Sequence, residues 1–312
     1  MSDYLVTVLC LSYNHEKYIR TTLEGFVNQK TTFRFKVVVH DDASTDGSQD
    51  IIREYAEKYP DMFDLVLQEE NKYQQGIDFE DEYMFPRVEG KYVAVCEGDD
   101  YWTDPEKLQL QVDYMEKHPD CSLCVHNTDK IAEDGSSLGL NFNKSKKEKD
   151  YTVNDIILAE PNSYFHFSSF MWRAETMKRK NEAFSMGGIG DYPMKLYFGT
   201  LGYIHYIPRT MSCYRMNAVG SWSSMMNSDN RKRIAQHNSI ISGFRSIDEY
   251  TGHKYSPAIK KAIARESAKV MVMEKNYGAL LKSPGCMAAL LKMLADKTAV
   301  TVSEKVQAVR SR

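Results

Sequence analysis

Residues 90–115 read GKYVAVCEGDDYWTDPEKLQLQVDYM. The apolar run Tyr92–Cys96 predicts a buried β-strand. A helix is predicted to start at Asp104 and Pro105, because Asp is a frequent N-cap and Pro is well tolerated at the first helical position. A strand, a polar turn and a helix in direct succession form the repeating unit of an α/β fold.

The same succession recurs on both sides of this segment. Apolar strands are predicted at 5–11, 35–39, 63–67 and 121–126, with helices over 15–29 and 49–59. Alternating short strands and helices predict a mainly parallel central sheet with helices on both faces. Ligands of such sheets bind at the carboxyl ends of the strands, so the residues after each strand are the candidates for chemistry.

Three polar clusters follow predicted strands. They are Ser12, Tyr13 and Asn14 after the first strand, Asp41 and Asp42 after the second, and Glu97, Asp99 and Asp100 after the fourth. Three carboxylates within four residues repel one another unless a cation joins them. Their hard oxygens suit Mg²⁺ or Mn²⁺ shared with phosphates, while the alternative is an ordinary acidic turn before a helix.

The second cluster is compatible with a capped turn, or with a carboxylate that accepts hydrogen bonds from a nucleoside. A dinucleotide-binding domain would need G-x-G-x-x-G after its first strand, and residues 12–15 read SYNH instead. The phosphate-binding pattern G-x-x-x-x-G-K-[ST] is absent as well. A nicotinamide dehydrogenase is therefore disfavoured. We also expect no nucleic-acid partner.

The combined motifs resemble a bacterial family 2 glycosyltransferase of the GT-A fold. The stretches that carry the resemblance are 6–19, 37–48, 90–115 and 214–223. The resemblance implies a nucleotide-sugar donor, with a uridine base as the default, and Mn²⁺ or Mg²⁺ held by Glu97, Asp99 and Asp100. It also implies that Tyr13 lies on the donor base.

Three further roles follow from the same resemblance. Asp41 or Asp42 would bind the base and ribose, with Asp42 favoured for the base. Asp191 falls where the family keeps its general base, although the usual Glu-Asp pair reads Gly190-Asp191 here. Arg215 would contact the donor phosphates, since a guanidinium pairs well with phosphate oxygens.

The implied reaction is inverting transfer of a single sugar to a saccharide or lipid-linked acceptor, in bacterial surface polysaccharide synthesis. The processive-synthase pattern Gln-x-x-Arg-Trp is absent, and the His often found two positions after Arg215 is Asn217. A nucleotidyltransferase is less compatible, because residues 12–20 lack a Gly- and Arg/Lys-rich triphosphate loop. A non-catalytic sugar-nucleotide binder or membrane-docked assembly subunit stays open as an alternative.

The 312 residues are expected to form a catalytic domain over 1–228, with a donor half to about 128 and an acceptor half over 129–228, followed by a basic helical region over 229–312. Residues 230–312 hold 16 Lys and Arg against 6 Asp and Glu, in a chain with a net charge of −3. This basic region suits an anionic membrane surface or a solvated helical face, and its helices could form a dimer contact.

Six scattered cysteines and the lack of a signal-peptide pattern lead us to expect reduced thiols and a cytoplasmic location, with peripheral membrane contact as an option. Helices are expected at 230–249, 257–276 and 285–295. In the acceptor half, a strand is expected over 164–172, and two short strands around Pro208.

Overall fold

The computed structural model describes residues 3–78, 80–159, 164–177, 191–216, 218 and 229–296. These residues form two compact units. One contains the described residues of 1–156, 160–180 and 194–225, and the other contains those of 157–159, 181–193 and 226–312. The predicted domain boundary at 228/229 stays a prediction.

Among its described residues, the first unit is built on a ten-stranded sheet. Its strands are β1 (Tyr4–Ser12), β2 (Arg34–Asp41), β3 (Phe63–Leu67), β4 (Tyr92–Val95), β5 (Tyr101–Trp102), β6 (Cys121–Ile131), β7 (Ser137–Asn141), β8 (Lys149–Tyr151), β9 (Met171–Arg173) and β10 (Tyr203–Arg215). Their order is β3-β2-β1-β4-β9-β6-β10-β5, with β7 paired to β6 and β8 paired to β10.

Parallel pairing dominates the donor half of this sheet. Strands β1, β2, β3 and β4 run the same way, and β6 pairs in parallel with β10. The strand β9 lies antiparallel between β4 and β6. The expected mainly parallel α/β sheet is confirmed, and the carboxyl ends of β1, β2 and β4 lie side by side along one edge.

Helices connect the strands, and the first three are those that the sequence predicts. They are α1 (Ile19–Val27), α2 (Ser48–Lys58), α3 (Lys107–Lys117), α4 (Val153–Leu158), α5 (Ala174–Met177) and α6 (Asp191–Leu201). The described residues also form a π-helical turn at Glu80–Met84 and 3₁₀ turns at Phe85–Arg87 and Phe167–Ser169.

The core lies against both faces of the sheet. Residues 6–10 of β1 are buried without alternation, as in a strand covered on two sides. Helix α1 buries Ile19, Leu23 and Phe26 against it, and the indole of Trp102 meets the Phe26 ring edge-on with centroids 4.8 Å apart. This packing fixes the loops at the carboxyl edge relative to one another.

Two details of the acceptor half differ from the expectation. Strand β10 is continuous through Pro208, with register shifts between Ile207 and Thr210 in place of a break. A bulge accommodates proline, because a bulged residue does not need its N–H for the hydrogen bonds between strands. The strand expected over 164–172 is limited to β9, since a 3₁₀ turn at Phe167–Ser169 precedes it.

The second unit is helical, as expected for the C-terminal extension. Its helices are α7 (Asn230–Tyr250), α8 (Ser256–Met273), α9 (Tyr277–Leu281) and α10 (284–296). Buried Glu266 on α8 accepts hydrogen bonds from His237, Arg265 and Lys269. No described helix is both long and apolar enough to cross a bilayer.

Candidate active site

The loop after β1 is fastened to the loop after β2. The backbone N–H of Asn14 donates to Ser44 Oγ at 2.8 Å, and Asn14 Oδ1 accepts from the N–H of Thr45 at 2.8 Å. The N–H of His15 donates to Ser48 Oγ at 2.9 Å. Asn14 has a φ of 55°, a left-handed conformation that Asn tolerates better than most residues. The two polar clusters therefore form one connected surface.

Asp41 is held inside its own turn. Its side chain is fully buried, and its carboxylate accepts from the N–H and the hydroxyl of Ser44 at 2.9 and 2.6 Å. The amide of Gln49 donates to it at 2.9 Å. These donors make Asp41 a support for the loop.

Asp42 points toward the next loop along the sheet. Its carboxylate accepts from the backbone N–H of Lys72 at 2.7 Å and of Tyr73 at 3.1 Å. Tyr13, on the neighbouring loop, keeps 41% of its surface exposed. An oriented carboxylate and an open aromatic ring are the groups that a nucleoside base needs.

The acidic turn after β4 sits directly on the loop after β1. The N–H of Gly98 donates to the carbonyl of Leu11 at 2.7 Å, and Thr22 Oγ1 donates to the carbonyl of Asp100 at 2.5 Å. A Cβ added at Gly98 would lie 2.7 Å from His15 Nδ1 and 3.0 Å from the Leu11 oxygen. Glycine at position 98 is what permits this close approach.

Asp100 is a buried carboxylate with few hydrogen-bond donors. Its Oδ1 accepts from the backbone N–H of Arg215 at 3.0 Å, and its Oδ2 lies 3.5 Å from His166 Nδ1. Burial raises the pKa of Asp100 well above its usual range, and the neighbouring carboxylates of Asp99 and Glu97 add to the rise. A cation at this position would reverse both effects.

One oxygen of Glu97, one oxygen of Asp100 and one ring nitrogen of His166 lie within 4.8 Å of one another. This group differs from the predicted set, because it includes His166 and leaves out Asp99, whose side chain is half-buried beside it. Carboxylate oxygens with one imidazole fit Mn²⁺, and an all-oxygen set suits Mg²⁺.

Three buried polar atoms at this edge have no hydrogen-bond partner among the described residues: Ser12 Oγ, His15 Nδ1 and Asp100 Oδ2. Leaving a buried polar atom unpaired costs about 1–3 kcal/mol each. All three lie at or just after the ends of β1 and β4, where the polar groups of a bound ligand would supply their partners. The residues therefore fit a metal and a polar ligand.

Arg215 has protein partners in the structure. Its guanidinium donates to the carbonyls of Asp99 at 3.1 Å and Glu133 at 2.6 Å, and it lies 4.5 Å from the Tyr18 ring centroid. Only 6% of the residue is exposed. The structure thus places Arg215 as a brace between the acidic turn and the β6–β7 turn, and its predicted contact with phosphate stays a prediction.

Asp191 is the first residue of α6 and is half-buried. It belongs to the second unit, whereas the acidic turn belongs to the first. The residues that precede it, including Gly190, lie outside the described residues, as do Asn217 and the 219–223 part of the predicted late loop.

His166 is the site residue that the sequence does not single out. More than sixty residues separate it from the acidic turn, and no motif marks it. The antiparallel pairing of β9 with β4, in which Met171 lies opposite Ala94, brings it to the site.

Comparison with known proteins settles the family. The sequence pattern of glycosyl transferase family 2 matches residues 7–176, more than half of the chain. The chain belongs to glycosyl transferase family 2. An uncharacterized protein of Mycobacterium tuberculosis is 34% identical over 301 residues, which cover 95% of this chain and 82% of that protein. Chondroitin synthase of Escherichia coli is 27% identical over 256 residues, 81% of this chain and 34% of that protein.

Solved structures of glycosyltransferases share the fold. S. aureus TarS 1–349 in complex with UDP-GlcNAc superposes with a TM-score of 0.52 and 17% identity, covering 86% of this chain and 81% of that one. The mannosyltransferase PcManGT of Pyrobaculum calidifontis, in complex with GDP-Man and Mn²⁺, superposes with a TM-score of 0.55 and 18% identity. The match covers 97% of this chain and 81% of that one. This family 2 member is therefore a glycosyltransferase with the GT-A fold.

Proposed function

We propose that this glycosyltransferase moves one sugar from a nucleotide diphosphate, with UDP as the expected nucleotide, to a saccharide or lipid-linked acceptor. The observation that carries the proposal is the convergence of three polar loops at the carboxyl ends of β1, β2 and β4, with buried polar atoms left for a ligand to satisfy. TarS, which shares the fold, binds UDP-GlcNAc, while PcManGT binds GDP-Man.

The donor nucleoside would lie across the first two loops. Asp42 would accept from the base, because its carboxylate is oriented by two backbone N–H groups, and Asp41 would hold the loop in place through Ser44. Tyr13 would stack on the base, and Ser12 and Asn14 would line the ribose side. Stacking against an exposed aromatic ring tolerates several bases, so the base preference would come from the carboxylate.

The diphosphate would lie against the acidic turn. Glu97, Asp99 and Asp100 would hold the metal, with His166 close enough to join them. A bound Mn²⁺ or Mg²⁺ would supply positive charge beside the leaving diphosphate. Arg215 would keep the carbonyl of Asp99, and so the turn, at a fixed distance from the Tyr18 ring.

Asp191 would act as the general base. It would take the proton of the acceptor hydroxyl, whose oxygen forms a new bond to the anomeric carbon. The bond from that carbon to the phosphate oxygen breaks on the opposite face, and the nucleoside diphosphate leaves. One displacement of this kind inverts the anomeric configuration.

The acceptor would belong to a bacterial surface polysaccharide, such as a capsule or lipopolysaccharide. Chondroitin synthase, a polysaccharide-forming relative by its name, supports this class of pathway. A cytoplasmic enzyme in peripheral contact with the membrane, and a homodimer formed through the C-terminal helices, complete the proposal. The excess of cations over 230–312 supports the membrane contact.

Replacing the base tests the reaction. Asp191→Asn removes the proton acceptor and keeps the shape of the side chain, so we expect transfer to fall by roughly 10²–10⁴-fold with the dissociation constant for the nucleotide unchanged. The measurement is transfer of label from radioactive UDP-sugars to membrane extract, with calorimetric UDP binding beside it. Asp113→Asn, at an exposed position of α3, is the control. Transfer that survives Asp191→Asn would remove this residue from the mechanism.

The rival proposal is a non-catalytic sugar-nucleotide binder. It predicts nucleotide binding by the wild-type chain without hydrolysis or transfer, with every UDP-, GDP-, CDP- and dTDP-sugar offered. The substitution of Gly190 for the usual acid before Asp191 is the feature that motivates it. Release of free nucleoside diphosphate in the presence of acceptor would exclude it.

A further inference from the structure

The helical unit has two ends with different surfaces. The side-chain amide of Asn230 donates to the carbonyl of Met273 at 3.4 Å, so the start of α7 lies beside the end of α8. Residues 229–233 and 272–282 share this region, which we call the basic end. The α7–α8 turn, residues 247–261, forms the opposite end.

The basic end carries five cations against two acids, a net charge of +3. The cations are Arg231, Lys232, Arg233, Lys275 and Lys282, and all are exposed. Of the acids, Asp229 is partly neutralised as the N-cap of α7, where its carboxylate accepts from the N–H of Arg231 at 2.8 Å. Most of the positive charge is thus free to act on a partner.

Apolar side chains are exposed next to these cations. Val272 is 37% exposed, Tyr277 is 56% exposed and Leu281 is 73% exposed. Residues 274–278 are exposed without interruption. Cations framing exposed tyrosine and leucine are typical of proteins that lie on a membrane surface, where the cations meet lipid phosphates and the apolar groups enter the acyl boundary.

We propose that the basic end docks on an anionic phospholipid bilayer. The proposal locates the membrane contact named above on particular residues of α7, α8 and α9. It is independent of sugar transfer, because docking is measured without donor or acceptor, and either result leaves the test of Asp191 unaffected.

Charge argues against two other partners for the basic end, which are a second copy of the chain and residues 297–312 of the same chain. In a twofold contact between copies of the chain, the basic end would face itself, and like charges would repel. Residues 297–312 contain four cations and one acid, a net charge of +3, so they have the same sign as the basic end. An anionic surface is the complementary partner.

The opposite end supplies a matched control. It also has three exposed lysines, Lys254, Lys260 and Lys261, but Asp248 and Glu249 reduce its net charge to +1. If charge alone in the helical unit caused docking, both ends would contribute. The proposal requires that only the basic end does.

The experiment is co-sedimentation of the full chain with phosphatidylcholine vesicles, with and without phosphatidylglycerol. We expect binding only to the anionic vesicles, weakened by salt. The triple variant Arg231→Gln, Lys232→Gln, Arg233→Gln should lower the partition coefficient on the order of 100-fold, since each cation near an anionic surface contributes about 1 kcal/mol. Tyr277→Ser with Leu281→Ser should weaken the binding that remains at high salt.

The control triple variant Lys254→Gln, Lys260→Gln, Lys261→Gln should keep binding within about threefold of wild type. Circular dichroism melts verify that each variant is folded. Equal losses from the two triple variants, or no sedimentation of the wild type with phosphatidylglycerol, would overturn the proposal. So would retention on a DNA duplex with no retention on vesicles, or a dimer that the first triple variant dissociates.

Discussion

The turn at Asp41-Asp42 and the turn at Asp99-Asp100 both follow buried parallel strands, yet they satisfy their carboxylates differently. Asp41 and Asp42 receive five hydrogen bonds from protein N–H and O–H groups. Asp100 receives one backbone N–H on Oδ1, and its buried Oδ2 has no hydrogen-bond partner among the described residues.

This difference indicates which turn needs a cation. A carboxylate surrounded by N–H donors is stable as an anion and can present a lone pair to a neutral base. A buried carboxylate beside two others, with a pKa raised by burial and by Asp99 and Glu97, is stabilised as an anion when positive charge is bound next to it. The first turn is thus suited to the nucleoside and the second to the metal.

Among substitutions that distinguish the two turns, Gly98→Ala should have the largest effect on stability. The new Cβ would stand 3.0 Å from the Leu11 carbonyl oxygen and 2.7 Å from His15 Nδ1, so the acidic turn must move away from the β1 loop. We expect a loss of about 1–3 kcal/mol in the free energy of unfolding. Donor affinity should fall with it, because the acidic turn moves relative to the β1 loop.

Gly278→Ala is the control for this change, since nothing lies within 4 Å of a Cβ at that helical position. It should be neutral or stabilise by up to about 1 kcal/mol. Urea unfolding of both variants gives the comparison. A Gly98→Ala variant as stable as wild type would contradict the close contact between the acidic turn and the β1 loop.

A smaller effect of opposite sign is expected from Ala43→Gly in the first turn. Ala43 has a φ of 62°, where its Cβ is strained and glycine is not. Relief of strain should exceed the extra chain entropy of glycine, for a gain of about 0.5–1 kcal/mol in the free energy of unfolding. Ala132→Gly, a position without positive φ, should instead destabilise the protein. Destabilisation by Ala43→Gly would show that the turn does not carry this strain.

Much of the fold is predictable from local pattern. Apolar runs of five to seven residues between helical segments predict the donor half, and helices expected at 230–249 and 257–276 are found at Asn230–Tyr250 and Ser256–Met273. The acceptor half is less predictable, because β9 and β10 owe their form to pairing across the sheet. Pro208 predicts a break, but the register shift in β10 absorbs it.

The candidate site, like the fold, is predictable from the sequence only in part. Ser12, Asp42 and Glu97 can be predicted because they directly follow strands whose ends must meet. His166 cannot, since only the antiparallel position of β9 brings it to Asp100. Arg215 can be predicted as a site residue, but its carbonyl partners Asp99 and Glu133 come from two separate turns and are visible only in the structure.

The measurement that tests the central claim most directly is calorimetric binding of UDP with and without Mn²⁺, to wild type, Asp99→Asn and Asp42→Asn. We predict that Mn²⁺ strengthens wild-type binding by roughly tenfold or more, about 1.4 kcal/mol. Asp99→Asn should remove this gain. Asp42→Asn should keep the gain but weaken UDP binding at every metal concentration. Equal UDP affinity of the folded wild type with and without Mn²⁺ would contradict the assignment of the acidic turn to a metal.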